Sequence, residues 1–240
     1  FLTVLLIILY SGCSPMQPVI SASGNYSLES LPVKGRQGIL INQKLSFGEF
    51  QTSRVKRSWT RGGNSRLALP VGGGNSSDYP DLLSLNYVNR EQRFYFQMED
   101  EHGNASDVYA TSGFSSEDLQ LEKNGSIWED FLGFTLNSEN LFYLQLFNNQ
   151  DSLPWQLVLD NEAAQVYAKK YQGVFALDEN RFYTLVPITK IQGNKGPQNL
   201  LMGSIGYEIR NPVGKLVAAV AIYDDGNIYF DTRDPQERFL

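Results

Sequence analysis

The sequence predicts an all-β fold, an antiparallel barrel or sandwich of about ten to twelve strands. Three observations carry that expectation. Short segments alternate apolar and polar residues with period two, as strands do when successive side chains point to opposite faces. Turn signals recur at roughly 8–12 residues, the spacing of sandwiches and barrels. Aromatic residues make up 12% of the 240 residues, with 13 Tyr and 14 Phe, a composition that suits pleated surfaces better than helices.

The first residues carry an address. Phe1 to Tyr10 read FLTVLLIILY, an unbroken apolar run. Ten residues span about 15 Å as a helix, half of a bilayer core, so the run suits the apolar region of a secretory signal and not a membrane span. Leu9-Tyr10-Ser11-Gly12-Cys13 then resembles a bacterial lipobox, with small residues at −1 and −2 and Tyr10 at −3. The resemblance implies cleavage before Cys13 and attachment of acyl chains, palmitate among them, to its thiol. It also implies a lipid anchor in the bacterial cell envelope. Ser14, in place of Asp, implies the outer membrane. Cys13 is the one cysteine of the chain, so an internal disulfide is excluded. Residues 13–32 then run Ser- and Pro-rich without period and predict a flexible tether. The predicted division is a signal peptide over 1–12, the lipidated Cys13 and tether over 13–32, and one β domain over 33–240. With no initiator Met before Phe1 and an apolar stop at Phe239-Leu240, the sequence predicts residues beyond both ends.

Within the domain the strands announce themselves in order. Ile39, Ile41, Leu45 and Phe47 share one face of a first segment. Phe94, Phe96 and Met98 alternate with Arg93, Tyr95 and Gln97; Phe142, Leu144 and Leu146 alternate with Leu141, Tyr143 and Gln145; Phe182, Val186 and Ile188 alternate with Arg181 and Tyr183. Asn124-Gly125 and Asp225-Gly226 predict two-residue hairpins of type I′, which need positive φ at both positions. Asp178 to Asn180 and Asn211 to Gly214 predict further turns. Arg61 to Pro80, with three glycines at 72–74, predicts a long loop. Helical periodicity is confined to Ser116–Leu121 and Glu162–Lys170.

The last segment predicts a hairpin from Lys215 to Thr232 and then a helix start. Asp234 offers a capping oxygen, Pro235 a pre-set φ and Glu237 a negative charge in the first turn. The series Tyr207-Glu208-Ile209-Arg210, the turn at 211–214, Val217 to Val220, Ile228-Tyr229-Phe230-Asp231 and the helix start resembles the closing part of the tubby-like barrel, the family that includes the scramblase-like and LURP-one-like proteins. The resemblance spans about forty residues, at 205–240. It implies about twelve strands around an apolar C-terminal helix, truncated here; an ordinary sandwich fits the same residues.

Charge is uneven. Residues 34–66 hold eight basic residues against Glu49 alone, and residues 78–160 hold fifteen acids against three bases, within a net charge of −6. Lys44, Arg54, Lys56 and Arg57 form a candidate patch for an anionic surface, each group near such a surface contributing on the order of 1 kcal/mol. The simpler alternative is cross-strand neutralisation by the acidic segments. The acidic total argues against nucleic acid. His102, the one histidine, sits in a polar turn, so no His/Cys set for zinc exists and no cofactor is expected. Trp59, Trp128 and Trp155 are candidates to stack on sugars or lipid tails, though a Trp in a β domain is more often core or half-core. Asp107, Asp130, Asp160 and Glu208 are candidate partners in a two-carboxylate hydrolase, which needs its acids about 5–9.5 Å apart. No P-loop, dinucleotide fingerprint, nucleophile elbow or HExxH appears. The expectation is a membrane-anchored envelope lipoprotein with a binding or structural β domain whose partner is an envelope protein, glycan or lipid. The alternatives are a hydrolase of envelope polysaccharide and a lipid-interacting tubby-like barrel.

Overall fold

The computed structural model describes residues 17–21, 28–36, 43–57, 83–85, 93–114, 119–121, 141–149, 151–160, 173–201 and 203–240. One antiparallel sheet of thirteen strands dominates, with twelve in continuous order. Numbered along the chain but taken in sheet order, they are β1 (Glu29–Pro32), β17 (Asn227–Phe230), β16 (Leu216–Ala221), β15 (Gly206–Arg210), β12 (Phe182–Pro187), β11 (Gly173–Ala176), β10 (Trp155–Asp160), β9 (Leu141–Asn148), β7 (Ala105–Phe114), β6 (Arg93–Asp100), β3 (Phe50–Thr52) and β2 (Ser46–Phe47). The thirteenth, β4 (Lys56–Arg57), pairs with β6 beside β3. Two antiparallel pairs stand apart: the hairpin of β13 (Lys190–Gly193) with β14 (Gly196–Asn199), and β5 (Leu83–Leu85) with β8 (Leu119–Leu121).

The two ends of this order meet. Just past β1, the Lys34 N–H donates to the Ser46 carbonyl at 2.8 Å and the Ser46 N–H returns to Lys34 at 3.1 Å. That bridge joins β1 to β2 and makes a nearly closed twelve-strand barrel, so the barrel and not the sandwich is the fold. Closure removes the exposed sheet edges that would otherwise invite pairing with another chain. Gly35 permits the approach: its φ is +86°, and a Cβ there would lie 2.1 Å from the Lys44 carbonyl oxygen.

Alternation sorts the wall. Phe96, Val108, Leu146, Trp155, Phe175 and Tyr183 point into the lumen from β6, β7, β9, β10, β11 and β12 and pack as one cluster. Phe47, Phe50, Met98, Ile209, Ala218, Ile228 and Phe230 form a second cluster around the closing seam. The rings of Phe50 and Phe47 stack at 5.4 Å, and Phe230 and Phe239 lie 6.1 and 6.4 Å from Phe50.

A single short helix, α1 (Pro235–Phe239), follows the last strand among the described residues. Asp234 caps it, accepting from the Gln236 N–H at 3.0 Å, and Pro235 supplies the fixed φ at its start. Its end enters the lumen. Phe239 is buried in the seam cluster and Leu240 packs against the Trp155 cluster. Arg238 holds α1 to the wall by lying 4.7 Å above the Phe230 ring while pairing with Glu29 at 3.0 Å and Glu49 at 3.4 Å.

Outside the barrel, Ile188, Ile205 and Ala219 form a third cluster with Ile20, Ile191, Leu200, Tyr223 and Tyr229. Residues 17–21 lie on β13 here: the Val19 N–H donates to Lys190 O at 3.0 Å and the Gln192 N–H to Gln17 O at 2.8 Å.

Several expectations change. Glu29–Pro32 is a strand of the barrel, so part of the stretch read as tether belongs to the wall. Leu119–Leu121 is a strand paired with β5 and not helical, since three residues are too few to display either period. Asp225-Gly226 is not a two-residue hairpin: β16 and β17 pair at Ala221 and Asn227, and positive φ falls at Asp224 (49°) and Gly226 (94°). On β12 it is Tyr183 that faces the core, with Phe182 and Val186 outward. Asn124-Gly125, Arg61 to Pro80, Glu162–Lys170 and the Ile39–Ile41 face lie outside the described residues.

Candidate functional site

Antiparallel topology sends alternate connections to opposite ends. One end carries α1 and the turns at 48–49, 101–104, 149–154, 177–181 and 211–215. The other carries the connections that follow β1, β3, β12 and β16. On this second end the described connections hold Lys34, Arg36, Lys44, Arg54, Lys56, Lys190 and Lys195, all exposed, against the acids Asp224 and Asp225.

Lys44, Arg54 and Lys56 of the predicted patch lie there. Residues 43–45 run beside 52–55, with the Val55 N–H donating to Gln43 O and the Thr52 N–H to Leu45 O, both at 2.8 Å, which sets Lys44 beside Arg54. Lys56 pairs with Tyr95 across the strands, its ammonium 5.4 Å from the ring centre. Lys56 faces an aromatic ring, and among the described residues neither Lys44 nor Arg54 has an ion-pair partner. The Arg57 side chain and Cys13 lie outside the described residues.

Sequence reasoning missed the neighbours. Arg36 donates to Ile222 O at 2.9 Å and Asp224 O at 3.1 Å, which brings a cation to the β16–β17 turn from far away in sequence. Two large apolar residues are exposed at the same end, Leu201 at 102% and Ile222 at 46%. No periodicity marks either, because both lie in connections.

The candidate carboxylates are not brought together. Asp107 faces outward on β7 and accepts from the Tyr95 hydroxyl at 2.9 Å. That hydrogen bond, with burial and the carboxylate charge, raises the Tyr95 pKa. Glu208 is buried and accepts from Arg210 Nη2 at 2.6 Å and from the Ser21 N–H at 2.6 Å. Leu185 and Leu159 both pair with Gly173, and Glu208 pairs with Val186, so Asp160 and Glu208 stand at one level three strands apart. Strand spacing makes that about 14 Å, beyond the reach of paired catalytic acids. Asp107 pairs with Phe147 and Asp160 with Leu141, which separates those two by about 20 Å along the strands. Asp130 lies outside the described residues, as do Trp59 and Trp128.

Trp155 is core, 3% exposed and stacked 5.0 Å from Phe175. His102 sits in the β6–β7 turn, where Asp100 accepts from the backbone N–H groups of His102 and Asn104. Among the described residues no three His, Cys, Asp or Glu side chains gather to hold a metal ion, and no helix is long and apolar enough to cross a membrane.

Two cavities open at the α1 end. An apolar one of about 170 Å³ reaches into the lumen between Phe47, Phe50, Phe175, Ile209, Phe230 and Phe239. A polar one of about 440 Å³ lies on the rim between α1 and the turns at 149–154, 177–181 and 211–215. No protein-family model matches the chain, and no curated protein or solved structure does.

Proposed function

We propose that this chain is an envelope lipoprotein, anchored through acyl chains on Cys13, whose barrel is a binding or structural module of tubby-like type with its basic end toward an anionic bilayer. One observation carries the reading. Residues 17–21, four residues beyond Cys13, are hydrogen-bonded to β13, which leaves β12 at the same end as Lys34, Arg36, Lys44, Arg54 and Lys56. An anchor beginning there delivers that end to the surface, where exposed Leu201 and Ile222 meet the headgroup layer. The tubby-like resemblance draws support from the twelve-strand ring and from a C-terminal helix whose Phe239 and Leu240 enter the lumen.

The test has two parts. Cys13→Ser should release the mature protein from membranes and abolish incorporation of labelled palmitate; equal membrane association and equal mass would overturn the anchor. The Arg54→Ala/Lys56→Ala pair should weaken binding of the delipidated chain to phosphatidylglycerol-containing vesicles by about 30-fold, taking on the order of 1 kcal/mol per cation. At ~0.5 M salt the screening length falls to about 4 Å, and binding should largely disappear. Salt-independent binding would refute the electrostatic orientation while leaving the anchor standing.

A further inference from the structure

The rim cavity at the α1 end is built unlike the lumen below it. Its lining joins Asn180, Arg181, Asn211, Asp234, Gln236 and Glu237 with the partly buried rings of Phe182 and Tyr183. Its volume, about 440 Å³, falls within the range of about 300–1,000 Å³ found for small-molecule sites.

The one basic side chain of this lining is already engaged. Arg181 pairs with Asp151 at 3.0 Å and with Asp178 at 2.8 Å. Asp151 also accepts from the Trp155 indole N–H at 2.9 Å and from Asn148 Nδ2 at 3.1 Å. Asp234 uses Oδ1 to cap α1, and Glu237 Oε1 accepts from the Tyr183 hydroxyl at 3.3 Å. Among the described residues the exposed amides of Asn180 and Gln236 carry no hydrogen bond of their own side chains, and the second oxygens of Asp234 and Glu237 are open as well. The free groups are therefore a mixture of planar donors and acceptors, with Phe182 and Tyr183 in the same lining.

An anion would meet carboxylates and a guanidinium that is already twice paired. An apolar ligand would strip water from amides and acids without replacing their hydrogen bonds, a loss of about 1–3 kcal/mol for each group left unmade. A hydroxyl-rich ring both donates and accepts, and its C–H face covers an aromatic side chain. We propose that this rim pocket binds an uncharged sugar residue, one unit of a glycan, at the end of the barrel remote from the basic connections. The site stands whether or not Cys13 anchors the chain.

The test titrates the full chain by calorimetry with glucose, galactose, N-acetylglucosamine and a β-1,4-linked N-acetylglucosamine tetramer, with spermidine and decanoate as chemical opposites. A single unit should bind with Kd on the order of 1–10 mM, about 3–4 kcal/mol, and the matching oligomer more tightly. Asn180→Ala with Gln236→Ala, both exposed, should weaken sugar binding about tenfold while melting temperature stays unchanged. Asp234→Asn keeps a capping side chain of equal rank and removes one negative charge, so it should abolish any binding of a cation. The proposal is overturned if no sugar binds in the tens of millimolar, if binding ignores the amide pair, or if spermidine binds in place of sugars and is lost with Asp234→Asn.

Discussion

Phe50→Ala is the sharpest test of how the barrel closes. Phe50 begins β3, is 2% exposed, and touches three rings: Phe47 across the β2–β3 turn, Phe230 on β17 and Phe239 on α1. These lie on both sides of the seam where β1 meets β2, and the seam itself is a single backbone bridge between Lys34 and Ser46. The ring cluster must then supply most of its cohesion. Truncating a buried Phe costs about 3–5 kcal/mol through lost transfer energy and the residual cavity. Phe50→Leu keeps most of the volume and forfeits the ring geometry, worth about 0.5–1.5 kcal/mol per pair, so about 1–2 kcal/mol is expected. In urea, with a slope of about 3 kcal/mol per molar for a chain of this size, the midpoint should fall by about 1.3 M for Ala and about 0.5 M for Leu. Amide exchange at Lys34 and Ser46 should accelerate in the Ala variant before exchange in β9 and β10 does. A midpoint shift below about 0.3 M for Phe50→Ala, or uniform acceleration through the wall, would show that the seam is not held by this cluster.

Three further outcomes follow from the same geometry. Gly206→Ala puts a Cβ 1.9 Å from the Val220 carbonyl oxygen and 2.9 Å from Ala221 Cα, so β15 and β16 must part. A loss of about 3 kcal/mol is expected, against about 1 kcal/mol at Gly196, where φ is +104° but space is open; equal melting temperatures would contradict this. Tyr143→Phe removes the oxygen that accepts from Gln145 Nε2 at 2.7 Å and Gln156 Nε2 at 2.6 Å, both buried, and should cost about 3 kcal/mol by chemical denaturation. Burial works to raise the Asp100 carboxyl, but the Asn104 side chain and the Asn104 and His102 backbone N–H groups outweigh it and lower the pKa. Burial is outweighed likewise at Asp178, by the Arg181 side chain and the Asn180 and Arg181 N–H groups. Both carboxylates therefore contribute stability that is whole above the ordinary carboxylate range and is lost as pH falls below about 4. Asp100→Asn should flatten that acid limb of a stability–pH curve, and an unchanged slope would refute the assignment.

What the sequence disclosed, and what it did not, divides along the range of the forces involved. Alternation in Phe94 to Met98 and Phe142 to Leu146 located two long strands, because each side chain there reports its own face. The Asn211 turn and the Asp234-Pro235 helix start were equally plain, since capping and turn chemistry act within four residues. The closing bridge was invisible: it consists of two backbone hydrogen bonds between Lys34 and Ser46, and neither side chain records it. Gln145 and Gln156 are polar residues on the outward face of β9 and β10, yet each is 1% exposed. The inner neighbours Phe142 and Leu144 are only half-buried. The outer face of β9 and β10 is closed over, with Tyr143, Gln145, Gln156 and Val158 all buried. Hydropathy alone assigns those two faces the wrong order of burial.

The same division bears on where function can sit. Along the wall, both faces of β9 and β10 are committed, one to the lumen cluster and the other to the Tyr143 hydrogen bonds, so a substitution there is felt as stability. The rims are free of that constraint. The turn at 177–181 is held by its backbone, by the Asp178 oxygens and by Arg181, which leaves the Asn180 side chain open to other partners among the described residues. Likewise Lys44 and Arg54 are fixed by backbone pairing of their segments and not by their own charges. Among the described residues the two rims differ in chemistry: cations and exposed Leu201 and Ile222 at one end, amides and carboxylates around a paired Arg181 at the other. A chain that used one rim to meet a charged surface and the other to hold a polar ligand would need no change in its wall. Exchanging the rim residues should therefore redirect binding while leaving the unfolding midpoint within about 0.5 kcal/mol of its starting stability, the usual range for surface substitutions. Variants at Asn180, Gln236, Arg54 and Lys56 that lost stability as well as binding would show that the rims are part of the folding core after all.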